Sequence, residues 1–599
     1  MALIRVSDKN NPSLTAADPI AMPDNGAHDL YRAYDTDLMW LSTHSLAISA
    51  NACPLLFAAK RFTFEHRREC KDTFGSIGDT MGNNQHHLKT ITPGNNTENI
   101  PAPMHRGWIL AALMMTMMLA AMDNTIVSTA IPQIVGDLGG FSLFSWVFSI
   151  YLLIQTITIP LYGKLADMYG RKPVLITGTS IFLIGSATCA LSWNMYSLIF
   201  FRGVQALGAG AIMATVNTLA GDMYSIRERA KIQGWLSSVW GVSAIAGPAL
   251  GGAFAEYVSW HWIFLINLPV GAIAIILLYL FLHEKKPHIP HRIKLAGAAL
   301  MLISSALLMF GILQGGQAWP WFSLNSILVF ATAAILIFLT TRVERRNPEP
   351  LMPAWIWKNR VLIGANLTMI GMGITMMASS MYLPVYAQSV TGVGPIAAGF
   401  ILASMSITWP LSSALSGKLY LTIGFRNTAL AGACMAILGA GVFLLLPFPG
   451  PVWMLVGMQL LLGAGFGLIS TPMLVGVQSI VTWNRRGVVT GANMFSRYFG
   501  QTLGAAIFAA VFNSVLLSSL HKAPALIAPK LPPPNQVIET LQSKNSSPQI
   551  QSFLRQIFHS ATHYVYIALL ITAVITLVII LFTPAKFPVL GNEQTREEG

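Results

Sequence analysis

Fourteen apolar runs, each about twenty residues long, constrain the fold of this chain more than any other feature. A helix that crosses the ~30 Å hydrocarbon core of a bilayer needs about 20 consecutive apolar residues. The sequence therefore predicts fourteen transmembrane helices, at 107–131, 143–163, 173–192, 196–217, 231–253, 262–282, 294–314, 323–341, 361–383, 396–416, 429–447, 452–473, 488–513 and 563–583.

The charged residues support a membrane protein rather than a nucleic-acid-binding protein. Only 10% of the residues are charged, against roughly 25% in soluble domains. The net charge of +13 could suggest a nucleic-acid partner, but the basic residues lie in short loops between apolar runs. Positive loops of this kind mark the cytoplasmic side of a membrane protein. The lipid bilayer is the expected partner, and nucleic acid is not.

The distribution of Lys and Arg predicts the orientation. The loops after even-numbered runs contain 19 Lys and Arg residues, and the loops after runs 1, 3, 5, 7, 9 and 11 contain none. Both termini are therefore predicted to be cytoplasmic. The segment after run 13, residues 514–562, carries four basic residues, but a loop of that length escapes the rule and is predicted to lie outside.

A repeat relates the two ends of the apolar array. GKLADMYGRK begins at Gly163, and GKLYLTIGFR begins at Gly417, an offset of 254. Two further glycine patterns recur at offsets of 255 and 257. A shared offset indicates a parallel repeat of six helices per half, as in many transporters. The predicted division is 104–285 for the first half, 286–345 for two extra helices, 346–585 for the second half with its outer loop 514–562, and 586–599 for a cytoplasmic tail.

The first hundred residues differ in character from the rest. Residues 1–103 are polar, rich in Asn and His, and lack a sustained helical period. We expect a disordered tail, or a start assigned too early, with Met81 or Met104 as the true start. A functional cytoplasmic extension stays an open alternative.

Four motifs in order resemble those of one transporter family. They are MDNTIVSTAIPQIVGDL at 122–138, GKLADMYGRKPV at 163–174, FRGVQALGAG at 201–210 and GVSAIAGPALGGAF at 241–254. Together with the extra helix pair, they resemble the fourteen-helix drug:proton antiporters of the major facilitator superfamily, over residues 104–585. The resemblance implies an all-α membrane protein of the major facilitator fold, with 14 helices arranged as 6+2+6 in two pseudo-symmetric halves. It also implies multidrug efflux, that is, proton-coupled export of amphipathic, often cationic, compounds across the plasma (inner) membrane.

The resemblance assigns roles to two groups of residues. Asp167 would face the N-terminus of the thirteenth helix, and Arg171 would pair with Asp222, forming a latch for the outward-facing state with Gly163 and Gly170. In the second half Leu421 stands where Asp167 does, so the latch is asymmetric. The antiporter motif would seal the two halves against proton leak, and comprises Gly241, Gly247, Pro248, Gly251 and Gly252. Static topology signals and ordinary helix packing are the plainer interpretations of these two groups.

Three charges lie well inside the apolar runs, where each costs roughly 2.5–3.5 kcal/mol. Asp123 and Arg202 fall at similar depth on the first and fourth helices, so we predict that they interact and couple transport to protons. A static ion pair is the alternative. Arg497 lies near the midplane of the thirteenth helix and needs carbonyls, an acid or a water-filled cavity. Hydrogen bonds to carbonyls are the favoured role, because an arginine repels the cationic substrates that the resemblance implies.

Other polar groups in the apolar runs are candidates for a substrate cavity, together with Arg497: Gln155, Asn217, Asn366, Tyr382 and Asn493. No enzyme, metal or cofactor is expected, because His, Asp and Glu do not cluster at one membrane depth. The expected ligands are small amphipathic molecules and protons, with a periplasmic adaptor protein left open. The alternative function is an exporter or uptake carrier of the same superfamily for a specific metabolite or siderophore.

Overall fold

A computed structural model describes residues 103–590, except 140–142, 285–294, 316–318, 348–349, 449, 525–530, 532–536, 538–540 and 542–546. The predicted extension at 1–103, apart from its last residue, and most of the predicted tail at 586–599 lie outside the described residues.

The described residues contain fourteen helices long and apolar enough to cross a membrane. They are α1 (Pro103–Leu138), α2 (Phe144–Tyr169), α3 (Arg171–Ala190), α4 (Met195–Met223), α5 (Ile226–Tyr257), α6 (Asn267–Phe281, after a helical turn at Trp262–Leu265), α7 (Leu295–Gln314), α8 (Leu324–Arg345), α9 (Arg360–Ser389), α10 (Pro395–Ile423), α11 (Phe425–Leu444), α12 (Val452–Ser479), α13 (Arg486–His521) and α14 (Pro548–Phe582). Each coincides with one predicted run, so the prediction of fourteen helices is confirmed.

The predicted outer loop at 514–562 is wrong in its extent. The helix α13 continues to His521, and α14 already begins at Pro548. Ser547 caps α14, because its side chain accepts a hydrogen bond from the Ile550 amide, and proline is favoured in the first helical turn. Hydropathy missed these ends because polar residues can continue a helix beyond its apolar stretch.

Helix packing repeats between the two halves at an offset of eight helices. In the first half, α1 packs against α5 and α6, and α4 packs against α2 and α3. In the second half, α9 packs against α13 and α14, and α12 packs against α10 and α11. The extra helices α7 and α8 pack against each other, and α7 also contacts α2 and α13. The described chain therefore has the predicted 6+2+6 architecture with pseudo-symmetric halves.

The two halves meet mainly along two helix pairs, α2 with α13 and α5 with α10. Small residues allow the close approach. A Cβ atom added to Gly163 of α2 would lie 2.4 Å from the carbonyl oxygen of Gly487, and one added to Gly234 of α5 would lie 2.9 Å from Ala414 Cβ. These contacts fix the position of α2 and α13, which carry several of the predicted site residues.

Candidate functional site

Asp123 lies in the middle of α1 and is fully buried. Its Oδ2 atom lies 2.5 Å from Arg202 Nη1 of α4, and its Oδ1 atom accepts a hydrogen bond of 2.8 Å from Gln205 Nε2. The structure thus brings together the two charges whose interaction the sequence predicts, and each carboxylate oxygen has its own donor.

Arg202 is held by partners beyond the carboxylate. Its Nε donates to the Val147 carbonyl at 3.3 Å, and its Nη1 also donates to Gln205 Oε1 at 2.9 Å. The guanidinium lies over the ring of Tyr151, 4.3 Å from the ring centroid, which is a cation–π contact. Arg202 therefore sits in one defined position between α1, α2 and α4.

Ser186 of α3 extends this network to the start of α6. Its hydroxyl accepts hydrogen bonds from Gln205 Nε2 at 3.3 Å and Asn267 Nδ2 at 2.9 Å, and it donates to the Phe264 carbonyl at 2.8 Å. The sequence analysis missed Gln205, Ser186 and Asn267. Gln205 could have been found, because it lies one helical turn after Arg202 and so shares its face of α4.

Asp167 of α2 lies at the N-terminus of α13, as predicted. Its two carboxylate oxygens accept hydrogen bonds from the amides of Gly487 and Val488, each 2.8 Å long. These amides belong to the first turn of α13, where unpaired N–H groups and the helix dipole favour a negative charge. The carboxylate of one half thus binds a helix end of the other.

Arg171 connects this carboxylate to the C-terminal end of α4. Its Nη2 lies 2.8 Å from Asp167 Oδ1, and its Nε lies 2.9 Å from Asp222 Oδ2, the pairing that the sequence predicts. The Trp483 carbonyl accepts a further bond of 2.6 Å, and the guanidinium stacks 3.6 Å from the Trp483 ring centroid. Arg486 Nη1 lies 3.0 Å from the other oxygen of Asp222. The sequence analysis treated Arg486 only as a topology signal, and it did not single out Trp483.

The turn between α2 and α3 depends on Gly170 and Glu284. Gly170 has φ +95°, a conformation that favours glycine. The carboxylate of Glu284, just after α6, accepts bonds from the amides of Arg171 (2.9 Å) and Lys172 (2.8 Å) at the start of α3. Glu284 therefore caps α3 and fixes the backbone that carries Arg171, a role with no local sequence signal because it lies over a hundred residues away.

The second-half copy of this turn uses different chemistry. Leu421, at the position of Asp167, is half exposed, and the Tyr420 hydroxyl donates instead to the Ile226 carbonyl at the start of α5. The predicted asymmetry is present in the contacts.

The antiporter motif differs from the predicted seal between the halves. Gly241 faces the second half, since an added Cβ would lie 2.9 Å from the Ser406 carbonyl oxygen of α10. Gly247 and Gly251 instead fit against α1 of their own half, where an added Cβ would lie 2.1 Å from Thr125 Oγ1 or 2.2 Å from Thr129 Oγ1. Pro248 is exposed, and an added Cβ on Gly252 meets no described atom within 4 Å. Two of the five motif residues therefore hold α1, the helix of Asp123, and Gly241 is the one that meets the opposite half.

The remaining cavity candidates do not form one cluster. Asn493 and Asn366 are hydrogen-bonded to each other at 3.4 Å. Asn217 accepts a bond from Gln233 at 3.2 Å, and Tyr382 packs on Phe512 with 5.0 Å between ring centroids. Gln155 is fully buried, and neither of its amide atoms has a hydrogen-bond partner among the described residues.

The favoured role for Arg497 is wrong. Its guanidinium makes no hydrogen bond to a carbonyl in the described part of the chain, and its buried Nε has no partner there. The guanidinium lies over the ring of the adjacent Tyr498, 4.9 Å from the centroid.

The fourteen membrane helices form two related halves and an extra pair, and charged networks are buried among these helices. These features are those of a transporter. The family model of the Major Facilitator Superfamily matches residues 113–505. The chain belongs to this superfamily, and it is a transporter and not an enzyme.

Characterised relatives and a solved structure agree with this assignment. The chain is 32% identical to Multidrug resistance protein 3 of Bacillus subtilis (strain 168) over 79% of this chain and 94% of that protein. It is 34% identical to Multidrug transporter protein MdtP of the same organism over 68% of this chain and 76% of the relative. It is 32% identical to Efflux pump FUS6 of Gibberella fujikuroi over 69% and 77%, respectively. The human organic anion transporter MFSD10 shares the fold, with a TM-score of 0.52 at 14% identity over 79% of this chain and 100% of that chain.

Proposed function

We propose that this protein is a multidrug antiporter, which exports amphipathic small molecules across the plasma membrane in exchange for protons, with Asp123 as the proton-binding group. The observation that carries the proposal is the buried network of Asp123, Arg202 and Gln205 between α1 and α4. A carboxylate inside a membrane helix costs free energy, and such residues commonly mark ion and proton pathways.

The network supplies a chemical basis for exchange. In the described conformation Arg202 and Gln205 each bind one oxygen of Asp123, and these contacts favour the ionised form of the carboxyl group. A proton added to Asp123 would remove the charge that holds Arg202, and the α1–α4 contact would weaken. Because changes in burial and in the distance to an arginine alter the proton affinity of a carboxyl group, opening the outer side and then the inner side can load and release the proton.

The names of the relatives support export as the direction of transport. Three of them are called a multidrug resistance protein, a multidrug transporter and an efflux pump. Since the efflux pump comes from a fungus, an organism without a second cell membrane, the proposal includes no periplasmic adaptor. The charge distribution supports a cytoplasmic location for the loops after even-numbered helices and for both termini.

In this orientation, the Asp167–Arg171–Asp222 contacts close the cytoplasmic side. They join α2, α4 and the start of α13, so the proposed outward-facing state needs them and the inward-facing state needs them broken. The glycine face of α5 has a different part in the cycle: Gly247 and Gly251 keep α1 close to α5, next to Asp123.

A transport assay on matched carboxylate variants tests the proposal. Export of a fluorescent amphipathic dye is measured in inverted vesicles, with and without a protonophore. We expect wild-type export to stop when the proton gradient collapses, and Asp123→Asn to abolish gradient-driven export. The control is Glu256→Gln, which neutralises an exposed carboxylate in the last turn of α5 and should leave export unchanged.

Two results would contradict the proposal. Equal wild-type export with the gradient collapsed would reject antiport with protons. Gradient-driven export that survives in Asp123→Asn would leave proton coupling intact and assign it to another group.

A further inference from the structure

Several polar side chains on α2 and α13, the pair of helices along which the two halves meet, have buried atoms without a hydrogen-bond partner among the described residues. Tyr151 and Gln155 lie one turn apart on α2, and Asn493 and Arg497 lie one turn apart on α13, next to Tyr498. We call these five residues the α2–α13 polar group. In the described part of the chain, no hydrogen-bond partner meets the hydroxyls of the two tyrosines, either amide atom of Gln155, Asn493 Oδ1 or Arg497 Nε.

The two helices that carry this group are in contact at this level. Gly491 of α13 fits against α2, where an added Cβ atom would lie 3.2 Å from the carbonyl oxygen of Ile159, one turn after Gln155, so the group spans the boundary between the halves. Gln155 follows Tyr151 by four residues and Asn493 precedes Arg497 by four, which puts each pair on one face of its helix. Buried polar atoms in native proteins are nearly always hydrogen-bonded, so a concentration of unpaired ones at a moving interface indicates a site for a polar ligand group.

The charge of the second half determines which ligand group fits. Residues 346–585 contain twelve Lys and Arg residues and only two carboxylate side chains, Glu349 and Glu539, both outside the described residues. Arg497 makes no ion pair with any described residue, and the residue as a whole is only partly buried. Its charge is therefore available to a ligand.

Three aspartates of the first half, Asp123, Asp167 and Asp222, already have partners that occupy their oxygens. Asp123 is fully buried, and Arg202 and Gln205 occupy its two oxygens. Asp167 and Asp222 are bound by Arg171, Arg486 and the first amides of α13. A lipophilic cation between α2 and α13 would meet Arg497 and no free carboxylate among the described residues.

We infer that the α2–α13 polar group binds the carboxylate of an amphipathic organic anion, with Arg497 as the charged contact. The planar guanidinium has a donor geometry that matches a carboxylate, and the tyrosine hydroxyls and the Gln155 amide supply further donors. This inference rests on the proposed export function and narrows its substrates to organic acids. It replaces the cationic preference that the family resemblance implies.

A matched set of fluorescent probes tests the charge preference. The probes share one aromatic scaffold and carry, at one position, a carboxylate, its methyl ester or a quaternary ammonium. The full-length protein is purified and reconstituted in liposomes with an imposed proton gradient, and uptake is measured against probe concentration. We expect the carboxylate probe to have a half-saturating concentration about tenfold below that of the ammonium probe, because a hydrogen-bonded charge pair is lost with the latter.

Variants then assign the preference to Arg497. Arg497→Gln should raise the half-saturating concentration of the carboxylate probe about tenfold and leave that of the ester nearly unchanged, while Arg497→Lys should keep most of the preference. The control is Lys522→Gln, which removes one positive charge from the exposed end of the same helix. Variants are used only if their thermal unfolding in detergent matches that of the wild type.

Binding of the carboxylate probe to the purified protein, measured by fluorescence anisotropy, separates this inference from the proposed function. If no probe responds to the proton gradient but the carboxylate binds in an Arg497-dependent way, the proposed antiport fails and the anion site stands. If the ammonium probe is preferred, or if Arg497→Gln leaves carboxylate binding and transport unchanged, the anion site is wrong whatever drives transport.

Discussion

Two neutral side chains of the second half correspond to Asp123 and Gln205 of the first half. Gln459 lies 254 residues after Gln205, the offset of the GKL repeat, and Ser379 of α9 donates to its Oε1 atom. The helices α9 and α12 correspond to α1 and α4 in the packing. The repeat has therefore kept the amide in both halves, and only the first half combines it with a carboxylate and an arginine.

This pair of glutamines provides a prediction with an internal control. Gln205→Met removes the donor to Asp123 Oδ1 at similar volume, and an unpaired buried carboxylate oxygen costs about 1–3 kcal/mol. We expect proton-driven export to slow about tenfold, as measured by initial rates in inverted vesicles. Gln459→Met, the same change beside Ser379, should slow export far less. Equal effects of the two substitutions would contradict a special role for the Asp123 network.

Individual residues also show what could be predicted from the sequence. Asp123 and Arg202 were predictable because a charge in an apolar run is costly and demands a partner at its own depth. Gln205 gave no such signal, because a neutral amide in a membrane helix is common. The surroundings of Arg497 were not predictable, because they depend on how α13 packs against its neighbouring helices.

At the scale of single helices, the start of α13 is the element with the clearest electrostatic role. Asp167 binds two of its first amides, and Arg171 joins the carboxylate to Asp222 of α4. A helix N-terminus favours a carboxylate by about 0.3–2 kcal/mol, and the two charge-assisted hydrogen bonds add to this. These contacts should determine the fraction of molecules whose cytoplasmic side is closed.

Asp167→Asn should therefore shift the protein towards the inward-open state. We expect thiol reagents to label a cysteine introduced at Trp483 several times faster in the Asp167→Asn background, because Trp483 stacks on Arg171 inside the closed contact. Leu421→Asn, at the half-exposed equivalent position of the second half, is the matched control and should not change labelling. If labelling is unchanged in both backgrounds, Asp167 does not help to hold the cytoplasmic side closed.

The glycine face of α5 is a second element with a measurable role. Gly247 has no room for a methyl group, because an added Cβ would lie 2.1 Å from Thr125 Oγ1 and 3.2 Å from the Ile126 amide nitrogen. Gly247→Ala should lower the free energy of unfolding by about 1–3 kcal/mol, seen as a lower melting temperature in detergent. Gly252→Ala adds the same methyl group where no described atom lies within 4 Å, and its melting temperature should equal that of the wild type.

The motif alone did not predict which neighbour this face contacts. Small residues at helical spacing indicate close packing, but the neighbour depends on the rotation of α5 about its axis. In the structure, Thr125 of α1 donates to the Ser243 carbonyl of α5 at 2.9 Å, which fixes that rotation next to Asp123. A lower melting temperature for Gly252→Ala, together with an unchanged melting temperature for Gly247→Ala, would contradict this orientation of α5.

Over the whole molecule, the two halves have similar helix packing but different charged side chains. The packing of six helices repeats at an offset of eight, and the extra pair α7 and α8 lies beside the α2–α13 boundary. The helix count, the repeat and the extra pair all follow from hydropathy and glycine spacing, since these are periodic along the chain. The end of α13 and the start of α14, both inside 514–562, do not follow from hydropathy, because their residues are polar.

The central claim for the whole molecule is that export and proton binding compete through Asp123. The most direct measurement is proton release by the purified protein, followed with a pH indicator in weakly buffered detergent solution while an exported substrate is added. The account predicts that substrate binding releases protons from the wild type, that Asp123→Asn releases none, and that Glu256→Gln behaves as the wild type. Proton release of equal size from Asp123→Asn would contradict the account.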